Sequence, residues 1–108
     1  MPTIEFKGRQ IEVDEEGYLL NHADWTNDLM IQLANEEGLY PENLDCELIN
    51  IAQKSYLQSE KPSPDPKEYL IMIGEITKII LTMKNIQKFF PDGFSQICKI
   101  AGLPKPTN

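Results

Sequence analysis

The chain has 108 residues, of which 41% are hydrophobic, and this size and composition predict one compact domain. Its formal net charge of −7 repels phosphate backbones and anionic membranes, which argues against general nucleic-acid binding and favours a basic protein partner. Its apolar runs are far shorter than the roughly 20 residues of a membrane span, and residues 1–5 lack the basic and apolar regions of a signal peptide. We therefore expect a cytoplasmic protein.

The two cysteines and one histidine are too few and too scattered to form a metal site. Cys46 and Cys98 lie far apart and His22 is near neither, so no group has metal-ligand spacing. The sequence predicts no metal and no cofactor. We also expect the two cysteines to be unbonded, because Cys46 belongs to a predicted core helix and Cys98 to the terminal helix.

The N-terminal residues have the pattern of a β-hairpin. Residues 3–6 and 10–13 alternate polar and apolar side chains, and Gly8 lies between them at the turn. The acidic run that ends in glycine at residues 14–17 indicates a second turn, after which residues 18–20 offer a third strand. The sequence thus predicts a hairpin or a three-stranded meander.

Two helices are predicted after the hairpin. Trp25, Leu29 and Leu33 recur every four residues, as on the buried face of a helix, and Gly38 is the expected stop signal. A second apolar face ends near Gln58 and comprises Leu44, Leu48, Ile51 and Ala52. These repeats predict two amphipathic helices that belong to the core.

A Pro-rich connection at residues 61–66 precedes the longest predicted helical region. Asp65 is the expected N-cap, with Pro66 in the first helical position. The helical pattern extends to Lys88, and we expect a break near Gly74. The apolar repeat of this region predicts a core face made of Ile76, Ile79, Ile80, Met83 and Ile86.

The C-terminal residues predict a short helix followed by an extended arm. Residues 95–101 have a helical pattern that Gly102 ends, and two prolines prevent a helix at residues 103–108. We expect residues 1–102 to form the domain and residues 103–108 to form an exposed arm. The predicted fold class is α+β, with an N-terminal hairpin or meander packed on an array of about five short helices.

Three blocks of sequence carry a family resemblance. The first is the acidic turn at residues 14–19. The second comprises residues 24–25, 33–34 and 37–38 of the first predicted helix. The third is a Phe-Pro-Asp-Gly turn at residues 90–93, followed by the highly specific run Cys-Lys-Ile-Ala-Gly-Leu-Pro-Lys-Pro at residues 98–106. In order and spacing these blocks resemble the DsrC/TusE family, which comprises the gamma subunit of dissimilatory sulfite reductase and its sulfur-relay relatives.

The resemblance implies a role for Cys98 in sulfur chemistry. Members that carry sulfur have a penultimate cysteine on a flexible arm and a second cysteine upstream, and Cys98 matches the second. The sequence ends at Asn108, before the position of the penultimate cysteine, so the chain as written has the helper thiol and lacks the carrier. Lys67 stands nearest to a basic residue of the family, often Arg, and Cys46 stands where the family has a Trp.

The sequence allows two interpretations of Cys98, a reactive thiol or a buried hydrophobic residue. Sulfur transfer needs an exposed thiolate with a lowered pKa, and the adjacent Lys99 favours the thiolate. A lone cysteine within a helix is otherwise a small buried hydrophobic residue. Cys98 is thus the candidate sulfur-accepting or helper thiol, and its accessibility stays open.

The arm carries the expected partner contacts. An extended basic segment that is stiffened by prolines loses little entropy when it enters the cleft of a partner. The resemblance implies that this partner is the catalytic part of a sulfite reductase or a sulfurtransferase relay protein. The candidate contacts are Lys67, Lys99, Leu103, Pro104, Lys105 and Pro106.

The predicted function is that of an accessory or carrier protein of sulfur metabolism, monomeric when free, rather than a stand-alone enzyme. One alternative is a regulatory binding module that keeps the docking surface and has lost sulfur transfer, which the missing penultimate cysteine favours. Another alternative is a helical nucleic-acid-binding module, because short helices at angles resemble a helix-turn-helix. The acidic charge argues against this last alternative.

Overall fold

The structure is a computed structural model that describes residues 2–106. A β-hairpin of β1 (Thr3–Phe6) and β2 (Arg9–Glu12) comes first, with the two strands antiparallel. Five helices follow, namely α1 (Asn27–Glu36), α2 (Asn43–Ser59), α3 (Pro66–Thr77), α4 (Met83–Phe89) and α5 (Phe94–Ile100). This architecture confirms the predicted α+β class. No helix within residues 2–106 is long and apolar enough to cross a bilayer.

The hairpin turns at Lys7 and Gly8, whose φ angles are 48° and 80°. Positive φ at both central residues of a two-residue loop matches the right-handed twist of the paired strands. Phe6 and Ile11 are buried and join the hairpin to the hydrophobic core. The hairpin predicted from alternation and the glycine is confirmed.

The segment after the hairpin forms a tight turn rather than a full third strand. The amide of Tyr18 donates to Asp14 Oδ1 at 2.9 Å, so it is used within the turn. Only Val13 and Leu19 pair, as a single bridge. The meander that we considered is therefore reduced to a hairpin and one bridge.

Helix α1 begins later than the apolar repeat predicts. Thr26 is the N-cap, and its hydroxyl accepts the amide of Leu29 at 3.1 Å. Trp25 precedes the helix, in the extended residue that follows a short 3-10 helix at His22–Asp24. Trp25 is therefore outside α1. Its side chain extends from the loop to α5, where Nε1 donates to the carbonyl of Ile100.

The break between α3 and α4 lies later than predicted. Gly74 is inside α3, which continues to Thr77. Lys78 ends the helix in the left-handed region, with a φ of 63°, and its amide donates to the carbonyl of Gly74 at 3.0 Å. A non-glycine residue in this conformation leaves no sequence signal of the kind that a helix-ending glycine gives.

The predicted core face of this region is wrong for three of its members. The exposed fractions of Ile76, Ile79 and Ile80 are 43%, 54% and 90%, whereas Ile86 is fully buried and Met83 is partly buried. Ile79 and Ile80 follow the left-handed Lys78, which takes them out of the helical phase of α3. Ile76 precedes Lys78 and lies in the last turn of α3. An apolar repeat that spans two helices therefore does not form one continuous buried face.

Helix α5 lies at the centre of the domain. It packs against α1, α2 and α4, so the C-terminal motif is surrounded by structure from most of the chain. Its buried side chains are Phe94, Gln96, Ile97, Cys98 and Ile100. A helix this buried fixes the position of the arm that follows it.

Candidate functional site

The C-terminal end of α5 is held by side chains from distant parts of the chain. The last carbonyls of a helix have no partner within the helix and must find one elsewhere. Three consecutive carbonyls accept hydrogen bonds of 2.9 Å, from Trp25 Nε1 to Ile100, from Gln53 Nε2 to Ala101 and from His22 Nδ1 to Gly102. These bonds fix the point at which the chain leaves the domain.

Gly102 turns the chain at this point. Its φ is +72°, its amide donates to the carbonyl of Lys99 at 3.2 Å, and the next amide donates to the carbonyl of Cys98 at 2.9 Å. This pair of bonds is a Schellman motif. A Cβ at position 102 would lie 2.7 Å from Trp25 Cδ1, so a larger residue requires a shift of the indole or the backbone.

Leu103 belongs to the core and not to the exposed part of the arm. Its exposed fraction is 1%. We expected Leu103 to open the arm and to contact a partner, but the Schellman motif turns its side chain inward. In this structure the exposed arm begins at Pro104, and Leu103 offers no surface to a partner.

The arm lies back against the domain through one ion pair. Pro104 and Lys105 are exposed, and Lys105 Nζ lies 3.0 Å from Glu16 Oε1. Both side chains of this pair are more than half exposed. Exposed ion pairs contribute little to stability, so Lys105 is available for exchange with a carboxylate of another protein.

A hollow beside α5 receives the last described residue of the arm. Pro106 is half-buried there, and the hollow has a volume of about 300 Å³. Lys67 is exposed and directly follows Pro66, a residue that lines the hollow. The other lining residues include Met83, Gln87 and Phe94. Residues 107 and 108 of the predicted arm lie outside the described residues.

A second hollow, of about 210 Å³, shares Asp92 and Ser95 with the first and contains Lys99. Lys99 Nζ lies 3.7 Å from Glu37 Oε1 and 5.7 Å from the ring centroid of Tyr18. The lysine charge is therefore turned toward a carboxylate and an aromatic face. The two hollows are therefore neighbours beside the N-terminal part of α5.

Cys98 is fully buried, although it directly precedes Lys99. Burial raises the pKa of the Cys98 thiol far above its usual value. Burial also raises the pKa of the phenols of Tyr18 and Tyr69, and the nearby Cys98 adds to both shifts. Of the two interpretations of Cys98, the structure agrees with the second, in which the residue is a small buried hydrophobic one.

Cys46 is half-buried, and both cysteines are free, which confirms that they are not bonded to each other. Within residues 2–106 there is no group of three or more His, Cys, Asp and Glu side chains placed to hold a metal ion. The chemistry of this surface therefore depends on charge, shape and, where it becomes accessible, the thiol of Cys98.

Alkylation should distinguish the two thiols. We expect iodoacetamide to modify Cys46 faster than Cys98 by about two orders of magnitude, because Cys98 must await local opening of α5 and has a raised pKa. Mass spectrometry of timed digests measures both rates, and unfolding in urea should make them similar. Equal rates in the native protein would contradict the burial of Cys98.

The predicted site residues are thus divided by the structure. Pro106 lines the first hollow and Lys99 the second. Lys105 contacts Glu16, which also lines the second hollow, and Cys98 is buried in the core. Sequence reasoning missed Gln53, whose partner is 48 residues away and which no local pattern marks.

The comparison with protein families gives a match over nearly the whole chain. The family described as "DsrC like protein" matches residues 5–108. The relative named "Sulfite reductase, dissimilatory-type subunit gamma", from Nitratidesulfovibrio vulgaris, is 30% identical over 109 residues that cover 99% of this chain and 97% of the relative. "Sulfurtransferase TusE" from Yersinia pestis is 33% identical and the match covers 95% of each chain.

Solved structures give the same fold. The NMR structure of Allochromatium vinosum DsrC has a TM-score of 0.82 and 31% identity, with 98% of this chain and 96% of that chain covered. The crystal structure of the oxidized gamma-subunit of the dissimilatory sulfite reductase from Archaeoglobus fulgidus has a TM-score of 0.83 and 25% identity, with 99% and 98% covered. The hairpin, the five helices and their order are therefore those of these proteins.

Proposed function

The chain belongs to the DsrC-like family, and from this premise we propose that it is an accessory protein of sulfur metabolism that docks through its C-terminal arm. Its partner is the catalytic part of a sulfite reductase or a sulfurtransferase of a sulfur relay, because the similar proteins carry the names of a sulfite reductase subunit and of a sulfurtransferase. In this role the chain presents itself to an enzyme and is not a stand-alone enzyme.

The observation that carries the proposal is the fixed exit of the arm. The side-chain bonds to three consecutive carbonyls and the burial of Leu103 hold the backbone up to that residue. Pro104 then restricts its own φ, and both Pro104 and Lys105 are exposed. A segment that is held at its base and stiffened by proline loses less conformational entropy on binding than a free tail.

The surface around the arm is suited to a polar interface. Lys105 is held by one exposed carboxylate, Glu16, and the adjoining hollow contains the charged pair of Lys99 and Glu37. A partner that offers a carboxylate to Lys105 replaces an interaction of small energy, so the exchange costs little. Charge complementarity of this kind sets orientation and association rate more than affinity.

Sulfur transfer at Cys98 requires a change in this structure. The thiolate must attack the outer sulfur of a donor persulfide and release the donor thiolate. Cys98 is buried and its pKa is raised, so the attack needs α5 to open or a partner to expose the thiol. The burial of Cys98 favours a second candidate function, a regulatory binding module that docks without transferring sulfur.

Reversal of the arm charge tests the docking proposal. We expect Lys105→Glu to weaken binding to the cognate sulfite reductase catalytic subunits or sulfurtransferase by about tenfold, because it places a carboxylate against the carboxylate that Lys105 should meet. Isothermal titration calorimetry of the 108-residue chain measures the dissociation constant. Lys54→Glu is the matched control, since Lys54 is equally a lysine exposed to solvent but lies on α2.

Two outcomes of this experiment decide the proposal. Unchanged binding of Lys105→Glu would refute docking through the arm, as would equal weakening by Lys54→Glu. Exposure of the complex to a persulfide donor, followed by mass spectrometry, separates the carrier from the regulatory module. Added sulfur that disappears with Cys98→Ala supports a carrier, and binding without added sulfur supports a regulatory module.

A further inference from the structure

The apolar repeat that does not enter the core forms a surface of its own. We name it the α3–α4 surface and define it by Ile76, Lys78, Ile79, Ile80, Lys84 and Lys88. Its isoleucines include the most exposed large apolar side chain in residues 2–106, Ile80, of which 90% is accessible. Ile76, Ile79 and Ile80 are all exposed and lie within five residues of chain, with basic residues at positions 78, 84 and 88.

The loop that presents these isoleucines is ordered by its own hydrogen bonds. The amide of Lys78 donates to the carbonyl of Gly74 at 3.0 Å, and the amide of Ile79 donates to the hydroxyl of Thr77 at 3.1 Å. Leu81 packs partly against the core from the same loop. The loop is thus anchored on one side while Ile80 is directed to solvent.

The backbone at the start of this loop is in an unfavourable region. Lys78 has a φ of 63°, which costs a non-glycine residue roughly 1–2 kcal/mol. Lys78 is the C-cap of α3, as the left-handed Glu60 is of α2, and it turns the chain so that Ile79 and Ile80 leave the helix.

The charge of this region is opposite to that of the molecule. Residues 76–91 contain three of the ten basic residues and none of the seventeen acidic residues of the chain. Lys78, Lys84 and Lys88 are exposed, and none of them forms an ion pair within the described residues. Lys84 and Lys88 are four residues apart on α4, so they share one face.

We propose that the α3–α4 surface docks a protein segment that is acidic and carries a large apolar side chain. The isoleucines provide the apolar contact, with Ile80 as the central anchor, and the three lysines pair with Asp and Glu around it. A symmetric contact with a second copy is disfavoured, because it would oppose like charges. An anionic bilayer is disfavoured by the seventeen acidic residues elsewhere on the chain.

This docking surface shares no residue with the arm contact, although α4 contributes both to it and to the hollow that receives Pro106. The proposal does not depend on the function proposed above. Lys105 and Glu16 belong to the arm contact, and neither belongs to the α3–α4 surface. A protein with two docking surfaces can bind an enzyme through one while it is held through the other, which raises the effective concentration of the arm.

The test uses a random-peptide display library as the probe and the whole 108-residue chain as the target. We expect selection to enrich peptides in which Asp and Glu flank Leu, Phe or Trp. Ile80→Glu should weaken an enriched peptide by about tenfold or more, and Lys84→Glu should weaken it and reduce its salt dependence. Leu57→Glu is the matched control, because Leu57 is a 68% exposed apolar residue on α2, and it should bind within about twofold of the unchanged chain.

Each contrary result has a defined meaning, and circular dichroism verifies that every variant is folded. Absence of any enriched peptide whose binding depends on Ile80 overturns the proposal. Self-association in sedimentation velocity that Ile80→Glu abolishes overturns it in favour of a second copy. Binding to vesicles of phosphatidylcholine and phosphatidylglycerol, with no acidic peptide selected, overturns it in favour of a membrane. No sulfur-metabolism protein is used, so the arm experiment and this one fail independently.

Discussion

Gly102→Ala is expected to lower the free energy of unfolding by about 3 kcal/mol, one of the largest effects of any single methyl group in this chain. Gly102 has a φ of +72°, and the added Cβ would lie 2.7 Å from Cδ1 and 2.9 Å from Cγ of Trp25. The indole cannot retreat freely, because its Nε1 donates to the carbonyl of Ile100. Urea titration followed by the fluorescence of Trp25, the single tryptophan, measures the change.

Gly8→Ala is the matched control for this prediction. Gly8 has a similar φ of +80°, but no described heavy atom lies within 4 Å of the position of its Cβ. Its substitution should therefore cost about 1 kcal/mol, from backbone strain alone. The difference between the two variants isolates the collision with Trp25, and equal losses would show that the close approach is unimportant.

The parts of the fold that the sequence predicts well depend on short-range chemistry. The hairpin was indicated by Gly8 between two alternating segments, and α3 begins at Pro66 behind the N-cap Asp65, whose carboxylate accepts the amide of Lys67 at 2.9 Å. Each of these signals acts within about four residues of chain. The residues next to the signal therefore determine the local structure without help from distant parts of the chain. The order of the elements follows from them.

The errors arise where a periodic pattern crosses an unmarked break. Ile76, Ile79, Ile80 and Ile86 have helical spacing, but the chain leaves α3 at Lys78 without a glycine or proline to announce it. Only Ile86 is fully buried. Positions where a helical apolar repeat is exposed instead of buried are often functional sites. This expectation agrees with the docking proposed for the α3–α4 surface.

The geometry of the candidate site could not be predicted, because its contacts join distant residues. The anchors of the α5 carbonyls come from residues 22, 25 and 53, and no local rule pairs them with residues 100–102. The family resemblance identified Cys98 and Leu103 as important positions. It did not give their burial, which depends on how α5 packs against three other helices.

Alkaline pH is expected to destabilise the domain strongly, because two acidic groups are buried in their neutral forms. Burial raises the pKa of Cys98, and burial followed by the nearby Cys98 raises the pKa of Tyr69. The hydroxyl of Tyr69 donates to the carbonyl of Leu48 at 2.9 Å, within the core, and this bond requires the proton. Both groups therefore stay protonated in the folded chain at pH values where they ionise in the unfolded chain.

The sign of the effect follows from the number of bound protons. Below the unfolded pKa values, about 8.5 for Cys and 10 for Tyr, both states hold the protons and stability does not change. Above them the unfolded state has released protons that the folded state retains, so stability falls by about 1.4 kcal/mol per pH unit for each group. The loss continues up to the folded pKa values, and between pH 8 and 11 it amounts to about 5 kcal/mol.

Variants that remove one group at a time separate this effect from the general titration of surface lysines. Cys98→Ala and Tyr69→Phe each lower stability at pH 7, the first by forming a small cavity and the second by losing the bond to Leu48. The quantity to compare is the slope of unfolding free energy against pH, measured in urea between pH 8 and 11. The slope should become less steep in each variant. In Cys98→Ala the decrease in stability that begins near pH 8.5 should be absent. A slope that stays the same in the double variant would mean that neither group is held neutral by the fold, and that the Cys98 thiol is open to sulfur chemistry without a conformational change.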